Sequence, residues 1–526
     1  MSRLSSDPEP AAFPLVATDG VPHLRGRRRG GPCVRDDRYE LDDAGFAGAV
    51  MRVASRLADR GVERGDVVAV ALPNRVEALL CLFACWHIGA IVTPVNPRLT
   101  AEELVHQLDD SGARLTVVDA CAGPLLRSLG RLVMESDELC DGGPDTVTPA
   151  VLPAGGTRPG ELALLVYTSG TTGRSKGVEL THGNITAMIG ALAAVLKLPP
   201  GERGLVVLPL FHVNALMTCV FTLHAGGDLV LVEGFRPAGF WPLVERHRPA
   251  YFSAVPTIYH LLTALPPSER PDVSSLRFVL CGAAPMPAAA VAAFESRYGV
   301  PVVEAYGLTE STVALTMNPP DGVRKPGTVG PPLPGVELLV LGEDSRPLPT
   351  GAAGEVVARG PMIMRGYHGR PQETVAALTD GWLHTGDVGH LDEDGYLTLV
   401  DRKKDLVIRG GENIAPSEVE AVLQQHPAVL EAAVVGRSDP VHGEVPVAWV
   451  TARAEATVTP EELRDFTASR LARFKVPQHI TITCALPRNA VGKLDKQALR
   501  TMPAEPQLPD PQDTRRNDNQ PAEGHR

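Results

Sequence analysis

The 526-residue chain lacks the features that would place it in several large classes. Its eight cysteines (Cys33, Cys81, Cys85, Cys121, Cys140, Cys219, Cys281 and Cys484) are scattered, with no CxxC pair and no dense cluster. That excludes a disulfide scaffold and a zinc ribbon. Thiols spread in this way fit a reducing, cytoplasmic setting. Cys81, Cys85 and His87 fall close together, but among Leu79, Leu80, Leu82 and Phe83, where packing accounts for them better than a metal. The opening Met1 to Pro14 has no apolar core of the kind a signal peptide needs. The most apolar stretch, Ala78 to Val92, is broken by His87 and Gly89 and is too short to span a bilayer. Lys and Arg number 50 against 62 Asp and Glu, a formal net charge of −12. Bulk charge therefore gives nucleic acid no support as a partner. The one basic run, Arg25 and Arg27 to Arg29, is short and broken by glycine. No repeat of 20–50 residues stands out.

What is present is a globular composition, 44% hydrophobic and 21% charged, on a chain long enough for more than one domain. Phe46, Val50, Val53 and Leu57 recur at helical spacing. Val67 to Leu72 is a continuous apolar run of the kind buried parallel strands show. Asn74 is positioned to cap a following helix that runs to about His87. Ala90 to Val95 and Arg114 to Val118 repeat the strand pattern. Further on, Gly204 to Leu208, Asp228 to Val232 and Phe278 to Cys281 read as strands, with helices over Pro242 to Arg248 and Thr257 to Leu265. This alternation predicts an α/β fold with layered parallel sheets. The composition shifts at Asp392-Glu393-Asp394-Gly395, a turn. Beyond it, Ser417 to Glu420 and Thr459 to Glu462 read as capping boxes of two helices. Strand-like runs Ala432 to Val435, Val445 to Val450 and His479 to Thr483 flank them. The expected organisation is a loose arm over 1–37 and a large N-terminal α/β domain over 38–401. A small mobile C-terminal α/β domain over 402–505 and a disordered tail over 506–526 follow.

The chemistry centres on Tyr167-Thr168-Ser169-Gly170-Thr171-Thr172-Gly173-Arg174-Ser175-Lys176-Gly177. An apolar strand pattern, Leu162 to Val166, enters this loop. Its glycines permit sharp bends, and Thr168, Ser169, Thr171, Thr172 and Lys176 supply donors and a positive charge, which suits a triphosphate. The spacing excludes a Walker loop, because Ser175 precedes Lys176 and Gly177 follows it. The stretch resembles the phosphate loop of the AMP-forming adenylating enzymes: acyl-CoA synthetases, adenylation domains and luciferase. Ser175 stands where family members usually carry proline.

Further blocks in family order extend the resemblance over roughly residues 38 to 500, closest to the acyl- and aryl-CoA ligases. Glu304-Ala305-Tyr306-Gly307-Leu308-Thr309-Glu310 matches the aromatic-Gly-x-Thr-Glu block. By resemblance Tyr306 packs on adenine, Thr309 contacts the α-phosphate and Glu310 helps hold Mg²⁺. A hydroxyl beside a carboxylate suits a magnesium–phosphate site in its own right. Gly282-Ala283-Ala284-Pro285 is similar to the segment beside adenine. Asp387, closing Gly381 to Asp387, implies a ribose acceptor. Asp401-Arg402-Lys403-Lys404-Asp405 resembles the interdomain linker, with Arg402 toward ribose or phosphates and Lys404 as hinge. Gly410-Gly411-Glu412-Asn413 resembles the turn that helps form the thioester-making face. Pro487 to Lys493 resembles the catalytic-lysine block, with Lys493 acting between the substrate carboxylate and the α-phosphate.

The resemblance implies a two-step reaction. A carboxylate attacks the α-phosphorus of MgATP to give acyl-AMP and pyrophosphate, and the CoA thiol then displaces AMP. At Phe211-His212-Val213-Asn214, His212 stands where α-amino acid adenylation domains place Asp, which argues against an α-amino acid. His212 is expected to line or gate the acyl site, with Val213, Leu216 and Met217 as an apolar wall. Ala305, where relatives often have glycine, shortens the pocket toward small or medium acids. Three alternatives stay open: an acyl carrier protein as acceptor, another oxyanion such as nitrite as substrate, and an inactive nucleotide-binding homologue.

Overall fold

The computed structural model describes residues 32–119, 123–140, 157–168, 175–266, 270–284, 286–409, 412–453, 456–488 and 494–503. The chain forms two compact units. One comprises the described residues up to Thr385 with Gly389–Leu399, the other Gly386–Val388 and Val400 onward.

The first unit is built on two large sheets. In one, Val67–Ala71 lies between Ile91–Pro94 and Leu115–Val118, all parallel. All five side chains of Val67–Ala71 are buried, as expected of a strand covered on both faces. Leu162–Thr168 continues this sheet from Ile91–Pro94, and Lys176–Thr181 follows it antiparallel. In the other, Tyr251–Ala254, Val279–Cys281 and Val302–Tyr306 run parallel in sequence order, so their C-terminal ends share one edge. Pro32–Arg35 pairs in parallel with Asp228–Leu231, so within the stretch expected to be a loose arm residues 32–35 form a strand. A third, smaller sheet includes Glu337–Leu341 and Gly354–Arg359.

The helical spacing from Phe46 to Leu57 belongs to the helix Asp43–Asp59, capped by Asp42, whose carboxylate accepts from Gly45 N–H at 2.7 Å. Phe46, Phe83 and Trp86 stack edge to face in the core, and the Trp86 indole donates to the Ala163 carbonyl at 2.9 Å. Asn74 does not cap the helix Val76–Ile88. Its amide donates to the Leu208 and Val232 carbonyls and accepts from Leu210 N–H, joining one sheet's loop to the strand ends of the other. The Val76 N–H is taken instead by Asp36, forty residues away in sequence. A buried amide satisfied by three backbone groups is worth more where it stands than at a solvent-facing cap.

The second unit carries its own sheet, in which Val429–Asp439 and Gly443–Ala452 form a long hairpin and His479–Ile482 joins in parallel. Thr459 and Glu462 form the expected capping box for the helix Pro460–Ala468. The box at Ser417 does not form. Pro416 takes the first helical position, which leaves Ser417 inside the first turn, where its hydroxyl donates to the Val400 carbonyl and its N–H to Asp401. Ser417 thus ties its helix to Val400 and Asp401.

Candidate active site

The phosphate-loop signature sits in a β-hairpin. Leu162–Thr168 and Lys176–Thr181 are antiparallel, and the register puts Thr168 directly opposite Lys176. Ser169, Gly170, Thr171, Thr172 and Gly173 lie outside the described residues. Long-range contacts brace the base of the hairpin. The Tyr167 hydroxyl donates to Asp110 at 2.8 Å, and Arg370 reaches the other oxygen of that carboxylate at 2.9 Å. Glu179 takes Arg365 and His368, each at 2.8 Å. Lys176, mostly buried, is ion-paired with Glu373 and lies 5.3 Å from the centre of the Tyr367 ring.

The block around Glu310 meets this cluster. Val302–Tyr306 ends in a short 3-10 turn, Thr309–Ser311. The Ser311 hydroxyl accepts from Leu308 N–H at 3.0 Å, and Thr312 follows at φ +65° with its hydroxyl donating to the Met362 carbonyl. A threonine in the left-handed region is strained, and here the buried hydrogen bond offsets that strain. The Glu310 carbonyl accepts from Met364 N–H at 2.8 Å, while one carboxylate oxygen accepts from the Tyr367 hydroxyl at 2.8 Å. The other oxygen and the neighbouring Thr309 hydroxyl form a donor set that fits Mg²⁺, which prefers one or two carboxylates plus substrate phosphates to a protein cage. No group of three or more His, Cys, Asp or Glu side chains suited to a metal occurs among the described residues.

A partly open cavity lies at the ends of the second sheet's strands. The helix Val213–His224 contributes Asn214, Met217, Thr218 and Phe221, which at spacings of three and four residues form one helical face. Val213 and Leu216, expected in this wall, point elsewhere and are buried in the core. His212 precedes the helix, its ring 4.4 Å from that of Phe211, and is not among the residues lining the cavity. The Ser253 hydroxyl donates to the Asn214 carbonyl oxygen at 3.0 Å, and Tyr251 shares a 2.6 Å hydroxyl contact with Thr222. Gly282, Ala283, Ala305 and Gly307 form the opposite side.

Backbone proximity dictates the small residues there. A Cβ on Gly307 would stand 2.4 Å from the Val313 carbonyl oxygen, so only glycine fits. Ala283 holds φ +69°, strain that keeps the turn after Val279–Cys281 open beside the cavity. Along Val302–Tyr306 the strand alternates. Ala305 faces the cavity, while Tyr306 packs with Leu315, Val329 and Val356 in a separate cluster. Glu304 is 7% exposed, and burial, helped by Glu295, pushes its carboxyl up to about 7.

In the second unit, Asp387 is buried and the Arg402 guanidinium lies 3.0 Å from it, so two predicted ribose-site residues meet directly. Lys404 sits in the exposed turn between Leu397–Arg402 and Val407–Arg409. Gly411 and Lys493 lie outside the described residues. Sequence reasoning missed Tyr367, Glu373, Asn214 as a wall residue, and Ser253. The helical period from Asn214 could have found the wall face; nothing local marks the others.

The "AMP-binding enzyme" family model matches residues 27–368, and the "AMP-binding enzyme C-terminal domain" model matches residues 418–493. A feruloyl-CoA synthase from Amycolatopsis sp. is 40% identical over 93% of this chain and 98% of its own length. A 2-succinylbenzoate–CoA ligase from Geobacillus kaustophilus is 38% identical over 85% of this chain and 90% of its own. Among solved structures, o-succinylbenzoate coenzyme A synthetase from Bacillus subtilis, in complex with ATP and magnesium ion, superposes with a TM-score of 0.80. It is 32% identical over 89% of this chain and 95% of that one.

Proposed function

The chain belongs to the AMP-binding enzyme family, and from that premise we propose that its substrate is a small or medium monocarboxylic acid with an uncharged tail. The reaction class is that of an AMP-forming acid–thiol ligase using ATP, Mg²⁺ and CoA. The acid's carboxylate attacks the α-phosphorus, the bond to the bridging oxygen breaks and pyrophosphate leaves. The CoA sulfur then attacks the acyl carbonyl, AMP leaves and the thiol proton is released.

One observation supports the choice of acid: among the described residues, the cavity wall contains no charged side chain. The relatives divide on this point, since 2-succinylbenzoate carries a second carboxylate and a feruloyl group does not. A second carboxylate buried against Met217, Phe221 and Tyr251 would lose its hydration with no cation in return. The wall's neutral polar groups, Asn214, Ser253 and Thr218, suit a carbonyl or hydroxyl on the tail.

The first step joins anions, so positive charge and positioning carry it. Lys176 and Lys493 would supply charge at the phosphates and at the meeting carboxylate, and Thr309 would donate to the α-phosphate. Glu310 would hold Mg²⁺, which neutralises phosphate charge. Asp387 would accept from the ribose hydroxyls with Arg402 beside it, Gly282 to Ala284 would flank adenine, and Lys404 would be the hinge between steps. CoA is the acceptor favoured, with a carrier protein as the finer alternative. A cytoplasmic location fits a CoA-dependent enzyme. Cys33, Cys81, Cys85, Cys219, Cys281 and Cys484 form no disulfide. No helix among the described residues is long and apolar enough to cross a membrane.

Mass spectrometry of one reaction holding the protein, MgATP, CoA and a mixed pool of acids tests the reading. An acyl-CoA from an acid with a neutral tail is expected. Preference for dicarboxylic acids would overturn the substrate assignment. AMP formation that requires nitrite instead of an acid would replace it.

A further inference from the structure

The ion pair between Lys176 and Glu373 has no part in the reaction above, yet it occupies the lysine that the phosphate-binding reading requires. Lys176 is fixed at the start of the strand Lys176–Thr181, with a side chain only 16% exposed. Its ammonium lies over the Tyr367 ring at 5.3 Å, and the same tyrosine donates to Glu310. A cation so poorly hydrated is costly to leave unpaired. Glu373 is built differently. Its side chain is 38% exposed, on the short helix Pro371–Ala377, which buries none of its residues. Lys176 is held by its strand, whereas Glu373 turns one buried oxygen toward it from a side chain that is otherwise partly in water.

We propose that Glu373 is a positioning residue that holds Lys176 as an internal substitute for phosphate and yields it when MgATP binds. The inference rests on the reading of Lys176 as a phosphate ligand. An ammonium has three donors, but a carboxylate left beside a polyanion is repelled, so part of the phosphate's attraction is spent displacing it. Glu373 therefore keeps Lys176 extended over Tyr367 and in line with Glu310 before nucleotide arrives, and weakens nucleotide binding in return.

Equilibrium binding of MgATP to the full chain tests this, with adenylation kinetics alongside. Glu373→Gln keeps the helix and the shape while removing the charge. It is expected to tighten MgATP binding by about fivefold, the scale of a partly exposed ion pair. Glu373→Asp should restore wild-type affinity. In a Lys176→Met background, Glu373→Gln should have little further effect. Unchanged or weaker binding by Glu373→Gln, or an undiminished gain in the Lys176→Met background, would overturn the proposal while leaving the assigned reaction intact. Wild-type protein that binds no MgATP would overturn the assigned reaction as well.

Discussion

Two regions around the segment 305–314 are built from opposite materials. The cavity takes Ala305, Gly307, Val313 and Ala314 from that segment and is walled otherwise by neutral side chains such as Asn214, Met217 and Tyr251. A few residues on, Glu310 joins Tyr367, Lys176 and Glu373, with Asp110–Arg370 and Glu179–Arg365 bracing the same hairpin. Neutral walls of this kind act by shape and by hydrogen bonding, effects that salt barely touches. In the charged cluster the contacts are attractions between fixed charges, which salt screens. One segment thus borders a neutral cavity on one side and a charged cluster on the other.

The largest effect that sharpens this division belongs to Lys493. Lys493→Ala should lower adenylation by about 10²–10³, or ~3–4 kcal/mol, with little effect on thioester formation from supplied acyl-AMP. Equal loss in both half-reactions would refute its assignment to the anionic step. Glu304→Gln should stabilise the protein by on the order of 2–3 kcal/mol at pH 8, read by chemical denaturation. Its carboxyl titrates near 7 when folded but at the ordinary 4.5 when unfolded. Below 4.5 both states are protonated and the variants should match. Between 4.5 and about 7 only the unfolded chain ionises, so wild-type stability falls with rising pH while the Gln variant's does not. A constant difference across that window would show that burial does not hold Glu304 neutral. Lys176→Met should raise the KM for MgATP by about 10-fold or more, the loss of a charge-assisted contact, and leave the KM for the acid unchanged. Parallel changes in both constants would erase the distinction between the regions. The smallest change is expected from Ala305→Gly, which removes one methyl from the wall. It should favour a longer acid by ~1 kcal/mol, about fivefold in relative kcat/KM, without altering the KM for MgATP.

Much of the fold was legible locally. The apolar run at Val67 and the alternating strand and helix patterns specify buried parallel strands because those periods leave no other way to bury their side chains. The motif blocks marked the hairpin, Thr309–Glu310, Asp387 and Arg402, since nucleotide chemistry fixes residue types and their order along the chain. The wall was read less well. Val213 and Leu216 look as apolar as Met217, and only the rotation of the helix against the sheets turned Met217 and Asn214 toward the cavity. Asn74 had the composition of a cap, but its use depended on where Leu208 and Val232 end. The pairing of Lys176 with Glu373, nearly two hundred residues apart, leaves no local trace. Sequence by itself determined the reaction class and marked the candidate groups for handling charge, because those depend on chemical identity at fixed spacing. Which neutral side chains line the cavity, and which carboxylate pairs with Lys176, only the tertiary structure decided, because both follow from how whole elements pack.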